Sequence, residues 1–160
     1  MRNRELTNSL EQLHTTDAGA ERIKKNLGFA KDNIIKYCQS VIKNRNTLIY
    51  KMGKNYYVCD GGSVFTINAS SKTIITAHKE NQIERITKFE KMMDEAEDLF
   101  ALEHKDERFF ELLDALDAYY QSLIWKQDFA DDEAGLLPPN LERGVLSEDG
   151  IYNLLEDRYL

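Results

Sequence analysis

Apolar residues recur along this chain at two different spacings, and the switches between them set its organisation. Leu6, Leu10 and Leu13 recur at helical spacing and predict a short helix over 3–13. The run HTTDAGAERIKKNLG predicts a second helix. Thr16 can cap its start, Asp17 and Glu21 lie near its positive end, and Lys24 and Lys25 lie near its negative end. Gly28 then stands where a left-handed terminating residue is wanted. Ile34, Ile35, Cys38, Val41 and Ile42 place one apolar stripe on a third helix, about 32–44. The pattern then becomes short runs rich in β-branched and aromatic residues: TLIYKM, YYVCD, SVFTINA and KTIITAH. Gly53-Lys54, Asp60-Gly61-Gly62 and Ser70-Ser71 punctuate them as hairpin turns. Four such strands in a row predict an antiparallel meander. Helices ahead of it make a small α+β domain, with the helices covering one face.

Helical spacing returns after residue 82. Ile86, Phe89, Met93, Ala96 and Phe100 step by 3 and 4, and Phe109, Leu112, Leu116, Tyr119 and Leu123 do the same. A break near His104-Lys105-Asp106 turns these two seams into an antiparallel helical hairpin. Pro138 and Pro139 interrupt the chain, and Ser147 can cap a short last helix carrying Ile151, Leu154 and Leu155. The fold class is therefore α+β, with an N-terminal four-stranded meander and a C-terminal helical hairpin. Apolar residues beyond the seams, including Met92, Leu99, Phe110, Leu113, Tyr120 and Ile124, predict either packing on other elements or a homodimer through the hairpin.

Charge switches at the same place as periodicity. Residues 1–80 hold 13 Lys and Arg against 7 Asp and Glu, a net +6. Residues 81–160 hold 8 against 21, a net −13. The domains are thus expected to be a basic one, 1–80, and an acidic one, 81–160. Such asymmetry suits a nucleic-acid surface, an acidic partner surface, or both. The plainer reading is two domains with no coupling. With 42% hydrophobic and 31% charged residues, the composition excludes a disordered chain. No run of about 18 apolar residues exists, so no membrane span is expected. The start MRNRELTNSLEQL has no apolar core of a secretory signal. Cys38 and Cys59 show no C-x-x-C spacing and read as reduced thiols in a cytoplasmic fold.

Residues 13–79 resemble an uncharacterised bacterial domain family through LHTT at 13–16, ERIKKNL at 21–27, GKNYYV at 53–58 and TINASSKTIITAHK at 66–79. Residues 83–158 resemble a second such family through the acidic hairpin and DEAGLLPPNLERGVLSEDGIYNLLED at 132–157. The order of elements in the first half also resembles the barnase–colicin–RelE type of ribonuclease toxin. That last resemblance implies metal-independent RNA cleavage, which needs a base, an acid and cations for the phosphate charge.

The basic half holds residue types for those roles. His78 and Lys79 end the last strand, Arg22 lies on the second helix, and Lys54 and Tyr56 lie at the first hairpin. Each also suits a structural role, and His14 is a second candidate for a functional histidine. Lys24, Lys25, Lys31, Lys36, Lys43, Arg45 and Lys51 supply charge for RNA binding. On the acidic side, Asp94, Glu95, Asp98, Asp131, Asp132 and Glu133 are candidates for docking a basic partner. A two-residue loop between the last two strands pairs Ile67 with Ile74 and Phe65 with Thr76, whereas a one-residue slip swaps every face. The relation of Asn68 to His78 therefore stays open. No phosphate-cradling loop, nucleophile elbow or paired zinc spacing is present, so no cofactor and no metal are expected.

Two functions follow as expectations. One is a toxin-like protein that binds or cleaves RNA, with the acidic domain masking the basic one or docking a partner. The other is a non-enzymatic interaction protein, a nucleic-acid mimic or an inhibitor of a nucleic-acid enzyme, acting through the acidic hairpin. A metabolic enzyme on a small α+β fold ranks last.

Overall fold

The computed structural model describes residues 4–156, with the side chains of Lys31 and Asp32 outside the described set. Asn3, Asp157 and Arg158, at the ends of the predicted segments, lie outside it too. The chain divides into two compact units, 1–81 and 82–160.

The first unit opens with α1 (Arg4–Thr7) and a 3-10 turn at Leu10–Gln12. The single helix expected over 3–13 is broken at Ser9. Its hydroxyl donates to the Glu5 carbonyl at 2.7 Å, and its backbone N–H turns to Leu6 instead. Next, α2 (Asp17–Leu27) starts where Thr16 Oγ1 accepts from Gly19 N at 3.0 Å and stops at Gly28, whose φ is +81°. It is followed by α3 (Lys31–Lys43). The strands β1 (Leu48–Met52), β2 (Asn55–Cys59), β3 (Ser63–Asn68) and β4 (Ile74–Lys79) form an antiparallel sheet in the order β1-β2-β3-β4. Ile49, Tyr56, Val58, Phe65, Ile67, Ile74 and Ala77 share the core with Leu6, Ile23, Ile34, Cys38 and Ile42 of the helices.

The register keeps the Ile67–Ile74 pair expected of a two-residue loop but not the Phe65–Thr76 pair. An irregularity between Thr66 and Ile67 moves Thr66 onto Thr76 and Phe65 onto Ala77. Paired residues share a face, and faces alternate along a strand. His78 pairs with Val64, so Asn68 and His78 stand on one face, at opposite ends of β3.

β4 is an edge strand, and its outer carbonyls are taken by side chains. Thr15 Oγ1 donates to the Ile74 carbonyl at 2.8 Å, Arg22 Nη2 to Ile75 at 3.1 Å, and Asn26 Nδ2 to Ala77 at 2.9 Å. Ile74 N in turn donates to the His14 carbonyl at 2.7 Å. This covers the edge against pairing with another strand. Gly19 permits the close approach, because a Cβ there would lie 2.6 Å from Thr15 Oγ1 and 3.3 Å from the Ile74 carbonyl.

The second unit is helical: α4 (Gln82–Ala101), α5 (Glu107–Tyr120), α6 (Leu123–Glu133), a 3-10 turn at Gly144–Leu146, and α7 (Glu148–Glu156). Ile86, Phe89, Met93 and Ala96 face Phe109, Leu112, Leu116 and Tyr119 in the buried seam, with Phe89 and Tyr119 stacked at 4.1 Å. The second seam ends at Tyr119, earlier than the sequence predicted. Ser122 Oγ accepts from Trp125 N at 3.1 Å and starts α6, which leaves Leu123 50% exposed. The expected hairpin is therefore a three-helix arrangement before α7. Of the surplus apolar residues, Leu113 is fully buried and Phe110 is 39% exposed. No described helix is long and apolar enough to cross a membrane.

A polar cluster seats α6. Asp128 is fully buried and accepts from Arg85 Nε at 2.9 Å, Arg85 Nη2 at 2.6 Å, Tyr119 Oη at 2.6 Å and Gln82 Nε2 at 3.0 Å. Burial first, and then the Asp128 charge, push the Tyr119 hydroxyl far above its ordinary pKa, so it stays a donor. Removing one partner of a buried pair strands the other charge. Asp128→Ala is expected to cost the helical unit about 3–5 kcal/mol, read as a lower urea midpoint. The pair of changes Arg85→Met and Asp128→Leu together should recover much of that loss.

Candidate functional site

The basic candidates spread over the first unit. His78 and Lys79 are exposed at the end of β4, opposite Val64 and Ser63. Lys54 lies in the β1–β2 turn, and the adjoining Asn55 pairs with Asn68. Those two ends of β3 are five residues apart, about 17 Å at strand rise. Tyr56 is buried on the core face with its hydroxyl donating to Glu5 Oε2 at 2.8 Å. Arg22 is exposed and donates through Nη2 to the Ile75 carbonyl. The five residues assigned to cleavage therefore do not converge. Lys24, Lys25, Lys36, Lys43, Arg45 and Lys51 are all exposed, and the Lys31 side chain is outside the described set. Lys51 Nζ stands 5.9 Å over the Tyr56 ring.

The histidine with a built environment is His14. Its backbone bridges to Thr73, which brings LHTT beside SSKT. Nδ1 lies 2.9 Å from the Gln12 carbonyl, which can only accept, so Nδ1 carries the proton. Nε2 is left to accept from the Thr73 hydroxyl at 3.0 Å, and Thr73 Oγ1 lies 2.7 Å from Ser71 Oγ. Asn68 Oδ1 closes the row, 3.2 Å from Ser71 Oγ and accepting from Ser70 N and Ser71 N. Lys72, buried at φ +60°, bonds its Nζ to the Ala69 carbonyl and, at 3.4 Å, to Glu5. The Tyr56 hydroxyl, then Lys72, hold the Glu5 carboxyl below its usual value. Ser71, Thr73, Lys72 and Glu5 were not singled out from sequence. Ser71, Lys72 and Thr73 lie far from His14 along the chain and are brought beside it by the edge bridge, while Glu5 joins through Lys72 and Tyr56.

In the helical unit the six acidic candidates divide. Glu95 is paired with Arg108 at 2.9 Å, and Asp132 with Arg143. Asp131 accepts from Gln82 at 2.7 Å and Gln127 at 2.8 Å. Glu133 and Asp98 are exposed. Asp94 belongs to a cluster that spacing could not reveal. One oxygen each from Glu90, Asp94 and Glu142 lie within 4.8 Å of one another. Such a carboxylate set is of the kind that can hold a cation. Glu90 is buried and its Oε2 accepts from Val145 N at 2.7 Å. Burial, then Asp94 and Glu142, raise the Glu90 carboxyl above its ordinary pKa despite the backbone N–H groups of Val145 and Gly144, which lower it. Burial, then Asp94, Glu90 and Asp98, raise Glu97 as well. Beside the cluster a cavity of about 290 Å³ opens between α4 and the 138–142 segment, lined by Ile83, Thr87, Lys91, Pro138 and Leu141 with the three carboxylates.

Two family models match the chain. The family described as a protein of unknown function (DUF3781) matches residues 7–78, and the domain of unknown function DUF4298 matches residues 81–160. These are two families in tandem, as the two resemblances implied. No curated protein matches, and no solved structure matches, so the ribonuclease resemblance gains no support.

The raised carboxyls set a pH dependence. Glu90 and Glu97 bind protons more tightly folded than unfolded. The stability they contribute is complete below the ordinary value of 4.5 and is lost as pH rises through their raised values. Urea unfolding between pH 4 and pH 8 should show this fall. Asp94→Asn should flatten it and raise stability at neutral pH.

Proposed function

For a chain that belongs to the DUF4298 family over residues 81–160 and carries a DUF3781 domain over 7–78, we propose a non-enzymatic interaction protein whose acidic helical unit receives a basic partner surface. A nucleic-acid-binding protein is the partner class this chemistry suits. The observation that carries the reading is the convergence of Glu90, Asp94 and Glu142, one oxygen of each within 4.8 Å of the others, where burial first and then like charge raise the carboxyls of Glu90 and of Glu97 nearby. A cationic surface would relieve that like charge. The acids on Glu95 and Asp132 already have arginine partners within the unit, so they add less. Self-association through the hairpin is supported only by exposed apolar residues such as Phe110 and Leu102.

The test compares variants of equal net charge for binding to a lysine-rich peptide. Asp94→Asn with Asp98→Asn should weaken binding by about tenfold or more, which is 1.4 kcal/mol per tenfold. Glu148→Gln with Asp149→Asn should change it less than about twofold. Equal losses from both pairs would mean net charge alone is felt and would sink the proposal. His78→Ala and Lys79→Ala should leave binding unchanged.

A second reading, RNA binding by the basic unit, is supported by the exposure of Lys24, Lys25, Lys36, Lys43 and Arg45. Cleavage draws no support from the scattered candidates. Single-stranded RNA should then bind with a salt slope of about −0.7 per phosphate neutralised and stay intact. Lys24→Ala with Lys25→Ala should lower that slope. A slope near zero would remove this reading.

A further inference from the structure

The groove between α4 and residues 138–142 has the size and lining for one long cationic side chain. Ile83, Thr87, Glu90 and Asp94 fall on one stripe of α4, at steps of four, three and four. The twelve residues from Ile83 to Asp94 carry that stripe over about 16 Å. It begins apolar and ends acidic. Pro138, Leu141 and Glu142 form the opposing wall with the same mixture. At about 290 Å³ the cavity is at the small end for a ligand pocket.

The proposal rests on the acidic unit being a binding surface, and narrows that surface to this groove. We propose that the groove takes an arginine or lysine side chain from a basic, partly apolar segment of a partner protein. The aliphatic stem would lie along Ile83 and Leu141, and the charged head would sit among Glu90, Asp94 and Glu142. Long cationic side chains are amphipathic in this way, burying the stem while the head finds polar partners. Charge complementarity selects the head. Among the described residues Lys91 is the one cation lining the groove, against the three carboxylates of Glu90, Asp94 and Glu142, and Glu97 is coupled to Glu90 and Asp94. The apolar wall selects the stem, since a bare metal ion or a wholly polar cation would make no use of it. Glu90 is already held by the backbone N–H of Val145, so the site is partly pre-organised. Ile83, 44% exposed, keeps the apolar end accessible.

The experiment uses the full chain and a fluorescein-labelled synthetic peptide of alternating leucine and arginine, followed by anisotropy at 150 mM salt. An oligolysine of equal charge is the comparison. The leucine–arginine peptide should bind more tightly. Glu142→Gln and Asp94→Asn should each weaken it by about tenfold, and Leu141→Ser by about fivefold. Glu148→Gln, an exposed acid outside the groove, should have an effect below about twofold. Circular dichroism of each variant identifies any that fail to fold, and Ile83→Ser provides an independent test of the apolar wall. Equal binding of both peptides, untouched by Leu141→Ser and Ile83→Ser, would overturn the groove and leave the acidic surface standing. Absence of binding by either peptide would overturn both. Displacement of the peptide by millimolar Mg²⁺ or Ca²⁺ would show an ion site instead and would also overturn the proposal.

Discussion

A single buried carboxylate decides how the helical unit is assembled. Asp128 lies inside without exposure and is met by Arg85, Tyr119 and Gln82 from two other helices. Its own helix has no apolar stripe, so Trp125, bonded through Nε1 to the Val145 carbonyl, is its other inward anchor. Hydrophobic association is tolerant of direction, whereas a bidentate arginine–carboxylate pair is not. The ion pair therefore supplies orientation where apolar packing supplies only cohesion. From α6 the constraint passes outward. Asp132 holds Arg143, and Arg143 also bonds the carbonyls of Leu141 and Pro138. The segment that walls the groove is thus fastened to a helix that is itself placed by a charge.

The two units treat charge in opposite ways. In the first, the described cations on α2 and α3 stand exposed, and the one buried lysine among the described residues, Lys72, is neutralised locally by a carbonyl and by Glu5. In the second, carboxylates are placed against one another and one of them, Glu90, is buried among its own kind. Repulsion of that sort weakens the free protein, which is why it is informative: an arrangement that costs stability alone is relieved by a partner of opposite sign.

Much of the fold could be read from the chain. The α2 caps at Thr16 and Gly28, the four strands with their turns, and the seam from Ile86 to Tyr119 all follow from local signals, because period and capping are written in neighbouring residues. What could not be read depended on partners far away in sequence. Ser9 breaks the first helix by turning its hydroxyl to Glu5. Ser122 starts a new helix inside what looked like one seam, and nothing local to Asp128 marks it as buried. The irregularity between Thr66 and Ile67 shifts half of β4 while leaving its hydrophobic composition unchanged. The candidate sites were harder still. Asp94 was visible as an acid on a helix, but Glu142 lies 48 residues further on and only the fold joins them. His78 looked promising because it ends a strand, whereas His14 has the hydrogen-bonded surroundings.

One small residue ties the electrostatics of the helical unit to its shape. A Cβ at Gly144 would stand 2.9 Å from Glu90 Oε1 and 3.0 Å from the Met93 methyl. The turn is wrapped around a carboxylate, so the room for a side chain and the solvation of a charge are one quantity at this position. An alanine there would press on an acid already reluctant to ionise. The first symptom of such a change would be an altered titration curve in a molecule whose backbone had hardly moved, and a lineage exploring this turn could retune the charge on its surface without altering a single ionisable residue.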